Sequence, residues 1–599
     1  MLSYYKERIK KINILIAQLQ RKDNIFNTFR LVSFILFLIA ISISFGNGKV
    51  IGFVISGILL FVFARIVLMH SNNQAKLEKI LTRKKILKNE IACLELNSNV
   101  YFDGNHFKNA NHDYSFDMDL FGKKSIFQYI NRCATGVGNK ELAEWLSREY
   151  PPEEIWKRQE AAKELAKNKE WCEDLRVELF KNRIEDFKKE HLPEINKTLS
   201  APKSLKLWIN LSYGLMLLAI LSIVAFSVNA TVLLIPLFLN SLLNFRFGKF
   251  TKTIRAQLEG RENTLRDYNK VLTAYEQKEV QSDYLQNLRK ELSQDNMSAT
   301  QTIASLQNLS QKLDYSLGML TGLVLNIFLL WDIVLCRKVS IWFENYAEKT
   351  AKWFQVVGRL EALISLSNLQ NNHPGWNYPE FQKDGFHLEG KNLGHPLLPE
   401  SERVCNDFSL KKDSWINIIT GSNMAGKSTF LRTVGVNIIL AKAGAVVCAE
   451  KLVLSHFRIM TYLTITDSIA ENTSTFYREI LRLRKILDTA RKDNNILLLL
   501  DEMLRGTNSA DKSRGSMAII RELIHLKVPA IVATHNLELA EMQKNFPNHI
   551  TNYFFDITIE NDSTMRFDYK LKPGICKTFN ASLLLKKIGI DVDEKKQAT

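Results

Sequence analysis

At 599 residues, with 46% hydrophobic and 24% charged side chains, the chain is too long for one core and too apolar for extended disorder. Its seven cysteines, Cys93, Cys133, Cys172, Cys336, Cys405, Cys448 and Cys576, lie far apart with no C-x-x-C pair, which argues against a disulfide framework or a thiolate metal site and for a reducing compartment. The net charge of +17 suits nucleic acid and anionic lipid equally and does not choose between them.

In chain order, residues 1–30 form a basic helix in which Lys6, Arg8, Lys10, Lys11, Arg21, Lys22 and Arg30 outnumber Glu7 and Asp23. Leu31–Ala64 follows with Lys49 as its only charge, and further on Leu207–Phe245 has none. A helix needs roughly 20 apolar residues to span a bilayer, so each stretch suits a helical hairpin. The turns fall at Gly46–Lys49 and Ser227–Ala230. Basic residues flank both hairpins: Lys76, Lys79, Arg83, Lys84, Lys85 and Lys88 after the first, and Arg246, Lys249, Lys252 and Arg255 after the second. The positive-inside rule places both ends of both hairpins in the cytosol. The expectation is a multi-pass protein of the cytoplasmic (inner) membrane, with lipid as a partner and the C-terminal domain in the cytosol. Buried core helices are the alternative for each stretch. A cleaved signal peptide is not expected, because the first apolar run starts near residue 31 and a second follows at once.

The remaining elements give four units: 1–70, a basic helix and transmembrane hairpin; 71–114, a polar connector; 115–370, a mostly α-helical core containing the 207–245 hairpin; and 371–599, an α/β domain. Within the core, Pro151–Pro152 ends one helix and Glu153–Glu154 begins another, and long charged helices cover Thr264–Gln294 and Ser298–Asp314. Tyr315–Trp331 is apolar and ends at Asp332, and a fifth crossing would put the C-terminal domain outside the cell. It is therefore expected as a buried helix of the soluble core. Asn371–Pro379 is turn-rich, and after it strands and helices alternate, the pattern of a parallel sheet.

That last unit carries the chemistry. Trp415–Thr420 reads as a buried strand, Gly421-Ser-Asn-Met-Ala-Gly-Lys-Ser428 follows it, and Thr429 opens a helix. This is the G-x-x-x-x-G-K-[ST] phosphate loop in its strand–loop–helix setting. Gly421 and Gly426 let the backbone wrap phosphates, the loop N–H groups attract their charge, Lys427 reaches the β- and γ-phosphates, and Ser428 ligates Mg²⁺. Ile496–Leu500 is an apolar strand ending in Asp501 and Glu502, in the order expected for a metal-binding carboxylate and one that polarises water. Ala530–Thr534 is a third strand, ending at His535, where a contact with the γ-phosphate or the water is expected at the sheet's carboxyl edge. Asn472-Thr-Ser474-Thr-Phe476 heads a helix. Thr473 or Ser474 there serves either as a plain N-cap or as part of a phosphate-directed helix terminus.

Taken together these pieces resemble the MutS family. Thr420-Gly-Ser-Asn-Met-Ala-Gly-Lys-Ser-Thr429 resembles its T-G-P-N-M-x-G-K-S-T loop, with Asn423–Met424 the specific pair and Ser422 in place of proline. Ser474-Thr-Phe476, Asp501-Glu-Met-Leu-Arg-Gly-Thr-Asn508 and Ala533-Thr-His535 resemble S-T-F, D-E-x-x-R-G-T-[SN] and A-T-H. Upstream, Gly394-His-Pro-Leu397 and Asn406–Asp407 resemble elements beside the nucleotide. Resemblance is strong over about 385–590 and weak over 115–370. It implies an α/β P-loop NTPase domain of MutS/ABC-like type, preceded by a mostly helical MutS-like core. ATP and Mg²⁺ are the implied ligands. Gly421, Ser422, Asn423, Met424, Ala425, Gly426, Lys427, Ser428, Thr429 and Asn406 would bind ATP, Ser428 and Asp501 the metal, and Glu502 and His535 would be catalytic. It further implies a homodimer in which Ser474, Arg505, Gly506, Thr507 and Asn508 complete the partner's site, and DNA as a partner. Glu471–Asn472 replaces the family's Ser–Gly pair, and no Phe-x-Glu mismatch-wedging element is found. The charge-free 207–245 stretch falls where the family extends helices toward a DNA-gripping clamp.

Two other readings use the same residues. A transporter-type ATPase would need a substrate path, and no charged residue inside Leu207–Phe245 marks one. An ATP-gated scaffold not acting on DNA would keep full cellular activity when Glu502 is replaced by Gln.

Overall fold

The computed structural model describes residues 1–47, 50–97, 99–181, 200–259, 262–293, 298–383, 385–410, 414–422, 425–463, 475–493, 495–559 and 565–576. Two antiparallel helices, α1 (Leu2–Asn47) and α2 (Val50–Leu94), open it. With 46 and 45 residues, each runs about 70 Å, more than twice the ~30 Å of a bilayer's hydrocarbon core. Their apolar turns leave Phe34, Ile39, Phe53 and Phe61 exposed, while their basic ends pack together through Tyr5, Ile12, Ile16 and Leu87. The stretch expected as a connector from residue 71 is thus helix as far as Leu94. Beneath the run of lysines lies a second pattern: Leu77, Ile80, Leu87, Ile91 and Leu94 recur at helical spacing and seat against α1.

Next come α3 (Ile126–Ile130), α4 (Gly136–Ser147), α5 (Pro152–Lys167) and α6 (Lys169–Phe180). The hairpin α7 (Leu205–Phe226) and α8 (Leu234–Leu258) follows, then α9 (Glu262–Glu276), α10 (Asp283–Lys290), α11 (Ala299–Asp314), α12 (Met319–Leu329) and α13 (Trp331–Asn372). The 42-residue α13 is the axis on which α4, α5, α8, α9 and α11 pack.

Two expectations fail here. The helix expected over Thr264–Gln294 is broken after Glu276, because Glu164 accepts the N–H groups of Gln281 (2.8 Å) and Ser282 (2.7 Å) and so stabilises a bend. Tyr315–Trp331 is not a buried helix: Met319–Leu329 is helical with most of its apolar side chains exposed, and Trp331 already opens α13. Absence of charge reports exclusion from water and says nothing of which apolar medium does the excluding.

A buried polar knot joins the first helix pair to the core. Glu90 of α2 accepts hydrogen bonds from Arg132 (2.7 Å), Arg176 (2.5 Å) and Tyr101 (2.9 Å), and from Asn368 and Asn372 of α13 (3.1 Å each). Burial pushes its carboxyl upward, but the two guanidinium groups outweigh burial and hold it well below the usual carboxylate range. Tyr5 of α1 donates to Asn372 at 2.7 Å.

The C-terminal part holds two sheets. A mixed four-stranded sheet has the order β1 (Glu380–Gln382), β5 (Lys451–Ser455), β2 (Leu388–Leu393), β3 (Asn406–Leu410). The six-stranded sheet runs β10 (Met565–Pro573), β9 (Ile550–Ile559), β4 (Ile416–Thr420), β8 (Ala530–Thr534), β7 (Ile496–Asp501), β6 (Arg458–Tyr462), parallel except for β10. Both its faces are covered, as a parallel sheet requires. Ile419, Leu497 and Leu499 pack on α14 (Lys427–Ala443), and Ile418, Leu498 and Leu500 pack on α15 (Thr475–Lys492) and α16 (Ser509–Leu526).

Candidate functional site

Strand order places the candidate residues together. β8 lies between β4 and β7, with Thr420 in register with Thr534 and Asp501 with Ala533. The loop after β4, the acids ending β7 and the histidine after β8 therefore share one carboxyl edge.

The loop from Gly421 turns directly into α14. Gly421 has φ 148°, and a Cβ there would come within 2.9 Å of the Phe555 carbonyl oxygen. Gly426 has φ 99° and lies against the Tyr569 ring. No side chain is accommodated at either position without moving a neighbour. Lys427 is buried, and its Nζ donates to the carbonyls of Gly421 and Ser422 at 2.8 Å each. Burial lowers its pKa, opposed by Glu502 and Asp501. Asn423 and Met424 lie outside the described residues.

Ser428 Oγ donates to Asp501 Oδ2 at 2.5 Å, while Asp501 Oδ1 is buried with no hydrogen-bond partner. Burial raises the Asp501 carboxyl, offset in part by the Ser428 hydroxyl and Arg505. Its neighbour shifts the other way. Burial pushes Glu502 up, but Arg505, His535, Lys512 and Lys427 prevail and hold it below the usual range. Glu502 has φ 45°, a left-handed conformation fixed by its N–H bond to the Ala533 carbonyl at 3.0 Å. His535 Nδ1 lies 3.4 Å from Glu502 Oε1, and Arg505 lies 3.6 Å from each acid.

Lys427, Ser428, Glu502 and Arg505 line a cleft of about 970 Å³, with Asp501 and His535 just behind its lining, and one wall of it includes Asn406, Phe555, Phe567 and Tyr569. The two rings of Phe567 and Tyr569 stack, 5.8 Å apart and inclined by 20°. Sequence reasoning missed this wall, since its only signal is two aromatics alternating along a strand. Asn406, expected to touch nucleotide, instead spends its amide on the wall: it donates to the Tyr569 carbonyl (3.0 Å) and accepts from the Leu571 N–H (2.8 Å). A larger groove of about 1480 Å³, lined by Lys163, Glu164, Lys278 and Arg289 among others, has acids and bases intermixed and no phosphate loop.

Among the residues expected to act across a dimer, Ser474 lies outside the described residues. Arg505 lies on the acids of its own chain. A Cβ on Gly506 would meet Phe476 at 3.0 Å. Asn508 caps α16, its side chain accepting from the Asp511 N–H at 2.8 Å. Thr507 is half-buried beside them.

Residues 417–589 match the family described as MutS domain V. The chain is 32% identical over 232 residues to the DNA mismatch repair protein MutS of Persephonella marina, 34% over 226 to that of Aquifex pyrophilus and 33% over 242 to that of Thermotoga maritima. These matches cover 38%, 37% and 39% of this chain, and 26%, 26% and 30% of the relatives. The chain thus spans less than a third of the length of the curated relatives it matches. Over this C-terminal region the chain is similar to proteins of the MutS family, and residues 417–589 match their domain V.

Proposed function

We propose that the cleft binds ATP with Mg²⁺ and hydrolyses it, in a domain of P-loop NTPase type. One observation carries the reading: Ser428 and Asp501, 73 positions apart in sequence, meet at 2.5 Å beside the buried Lys427. Mg²⁺ takes oxygen ligands. The Ser428 hydroxyl and the Asp501 carboxylate, with its unpartnered buried Oδ1, are such donors and fit it. When bound, Mg²⁺ would supply positive charge at the phosphate oxygens.

In this mechanism Lys427 exchanges the carbonyls of Gly421 and Ser422 for phosphate oxygens, and the N-terminus of α14 adds its dipole. Glu502, held ionised, accepts a hydrogen bond from the attacking water, and His535 orients it. The flat wall of Phe567 and Tyr569 takes the base, positioned by Asn406. The family resemblance supports a homodimer in which Ser474 and the Arg505–Asn508 loop complete the partner's site. The position of Arg505 favours a second reading, in which it acts within its own chain.

The exposed apolar turns of α1–α2 and α7–α8 support anchoring in the cytoplasmic membrane, with the ATP site in the cytosol. Among the described residues, four helices are long and apolar enough to cross. The relatives' name supports action on DNA, and the charge of +17 suits a polyanion. Specific mismatch recognition is not part of the proposal.

In detergent-solubilised full-length protein, Lys427→Ala is expected to abolish binding of a fluorescent ATP analogue; hydrolysis surviving that change would remove the assignment. The unmodified protein is expected to bind duplex DNA at low salt with an affinity that ATP alters. No binding there leaves an ATP-gated membrane protein not acting on DNA.

A further inference from the structure

The segment between α11 and α13 has the character of neither a soluble helix nor a span. Tyr315–Trp331 carries no charge. Its helical part has 11 residues, about 16 Å, which is roughly half the ~30 Å hydrocarbon core and too short to cross it. Nor do the described residues cover it: Met319 is 93%, Leu320 77% and Leu323 60% exposed. α11 and α12 meet at 110°.

The backbone at its end is the more telling feature. The last carbonyls of a helix lack intrahelical donors, and in a soluble protein water takes their place. Here the α7–α8 hairpin supplies the donors. Asn240 Nδ2 donates to the Ile327 carbonyl at 2.7 Å and the Tyr213 hydroxyl to that of Leu329 at 2.7 Å, while Asn244 Nδ2 adds a second donor, at 2.9 Å, to the Asn326 carbonyl that already accepts the Leu330 N–H. Asn240 is fully buried and accepts from Ser212, which is equally buried. Leu330 ends the helix with φ 49°, and the Asn326 side chain accepts from the Asp332 N–H at 2.9 Å and donates to its carboxylate at 3.1 Å. Asp332 is in turn paired with Arg255 at 2.6 Å. Polar side chains in an otherwise charge-free hairpin are expensive in hydrocarbon, and irregular backbone is tolerated at that depth only where protein groups satisfy it.

We propose that Met319–Leu329 is a re-entrant half-helix immersed in the bilayer: it enters from the α11 side, docks on α7–α8 and returns to the same side as α13. The occupant of its exposed face is lipid acyl chain. Leu242 and Phe245 of α8, the helix on which it docks, are likewise exposed, and Lys312, Arg337 and Lys338 mark the polar margin on either side. The proposal rests on the membrane reading of the α7–α8 hairpin. Because α13 begins one residue after Leu330, lipid contact is joined directly to the axis of the helical core.

The test adds one cysteine at a time to the full chain in oriented membrane vesicles, with a membrane-impermeant maleimide and the unmodified protein, whose seven cysteines are buried or half-buried, as background. Lys312→Cys and Lys338→Cys are expected to label from the same side. Leu323→Cys is expected to label at least about tenfold more slowly than Lys312→Cys, since a charged reagent is excluded from hydrocarbon. A fluorophore at Leu323→Cys is expected to be quenched by nitroxide carried on lipid acyl chains. Labelling of the two lysine positions from opposite sides, fast labelling at 323, or absence of quenching each overturns the proposal. Leu218→Cys on α7 separates the two readings. If it stays protected while 323 labels, only the re-entrant helix falls. If it labels as fast as 312, the membrane reading falls and the proposal goes with it.

Discussion

Leu498 in β7 and Leu218 in α7 are the same side chain in opposite situations. Leu498 is 0% exposed, closed in by α15 and α16, whereas Leu218 is 64% exposed, like its neighbours Leu217 and Leu221 along the hairpin. Both segments are apolar for the same reason, exclusion from water. Among the described residues the sheet is covered by helices and the hairpin is left largely bare. A short strand closed in on both faces holds its end residues rigidly, so the sheet edge is where chemistry is positioned. A long bare hairpin positions little but offers a large apolar area.

If that division of labour holds, changes in the two regions should separate cleanly. Glu502→Gln has the largest expected effect: turnover falls about 10²–10⁴-fold, the usual range for removing a positioned proton acceptor, while membrane retention is unchanged. Steady-state hydrolysis beside membrane fractionation measures both, and near-full turnover would end the assignment of Glu502. Glu90→Ala strikes the junction. It strands Arg132 and Arg176 without their carboxylate, so a loss of about 3–5 kcal/mol is expected in denaturant unfolding in detergent; a loss under 1 kcal/mol would mean that water enters the knot. Leu218→Lys is the mildest. A charge at mid-helix costs about 2.5–3.5 kcal/mol on insertion, so less protein should resist carbonate extraction, with hydrolysis by the remainder intact. Were the hairpin in water, the same substitution would leave extraction unchanged and improve solubility.

How far these regions could be read from sequence follows from the range of the interactions. The loop 421–428, the acids 501–502 and His535 are legible because each is a short run whose apolar strand and polar end lie next to each other in the chain. The 207–245 hairpin is legible because length and charge are local. Asn406 and Tyr569 are not: their pairing joins β3 to β10, 163 positions apart, and only the folded sheet reveals it. Asn508 is expected from the resemblance to complete a partner's site, and its bond to the Asp511 N–H, which makes it the cap of α16, is a use that the motif alone does not announce. α12 misled because composition reports what a helix avoids, and the donors at its end come from Tyr213, Asn240 and Asn244, far from it in sequence.

The unbroken course of α1 and α2 has a mechanical consequence. Neither helix has a break between its bare apolar turns and the end that Tyr5 and Glu90 fasten to α13. From Leu2 to Phe45 in α1 and from Ile58 to Leu94 in α2 there is no proline or glycine, and paired α-helices without such a hinge flex little over that length. The pair therefore acts as a boom: tilting it by about 5° about its fastened end sweeps the far tip through about 6 Å, given a length of about 70 Å. If the tip lies in a bilayer, as proposed above, a change in bilayer thickness or curvature there would return to α13 as torque.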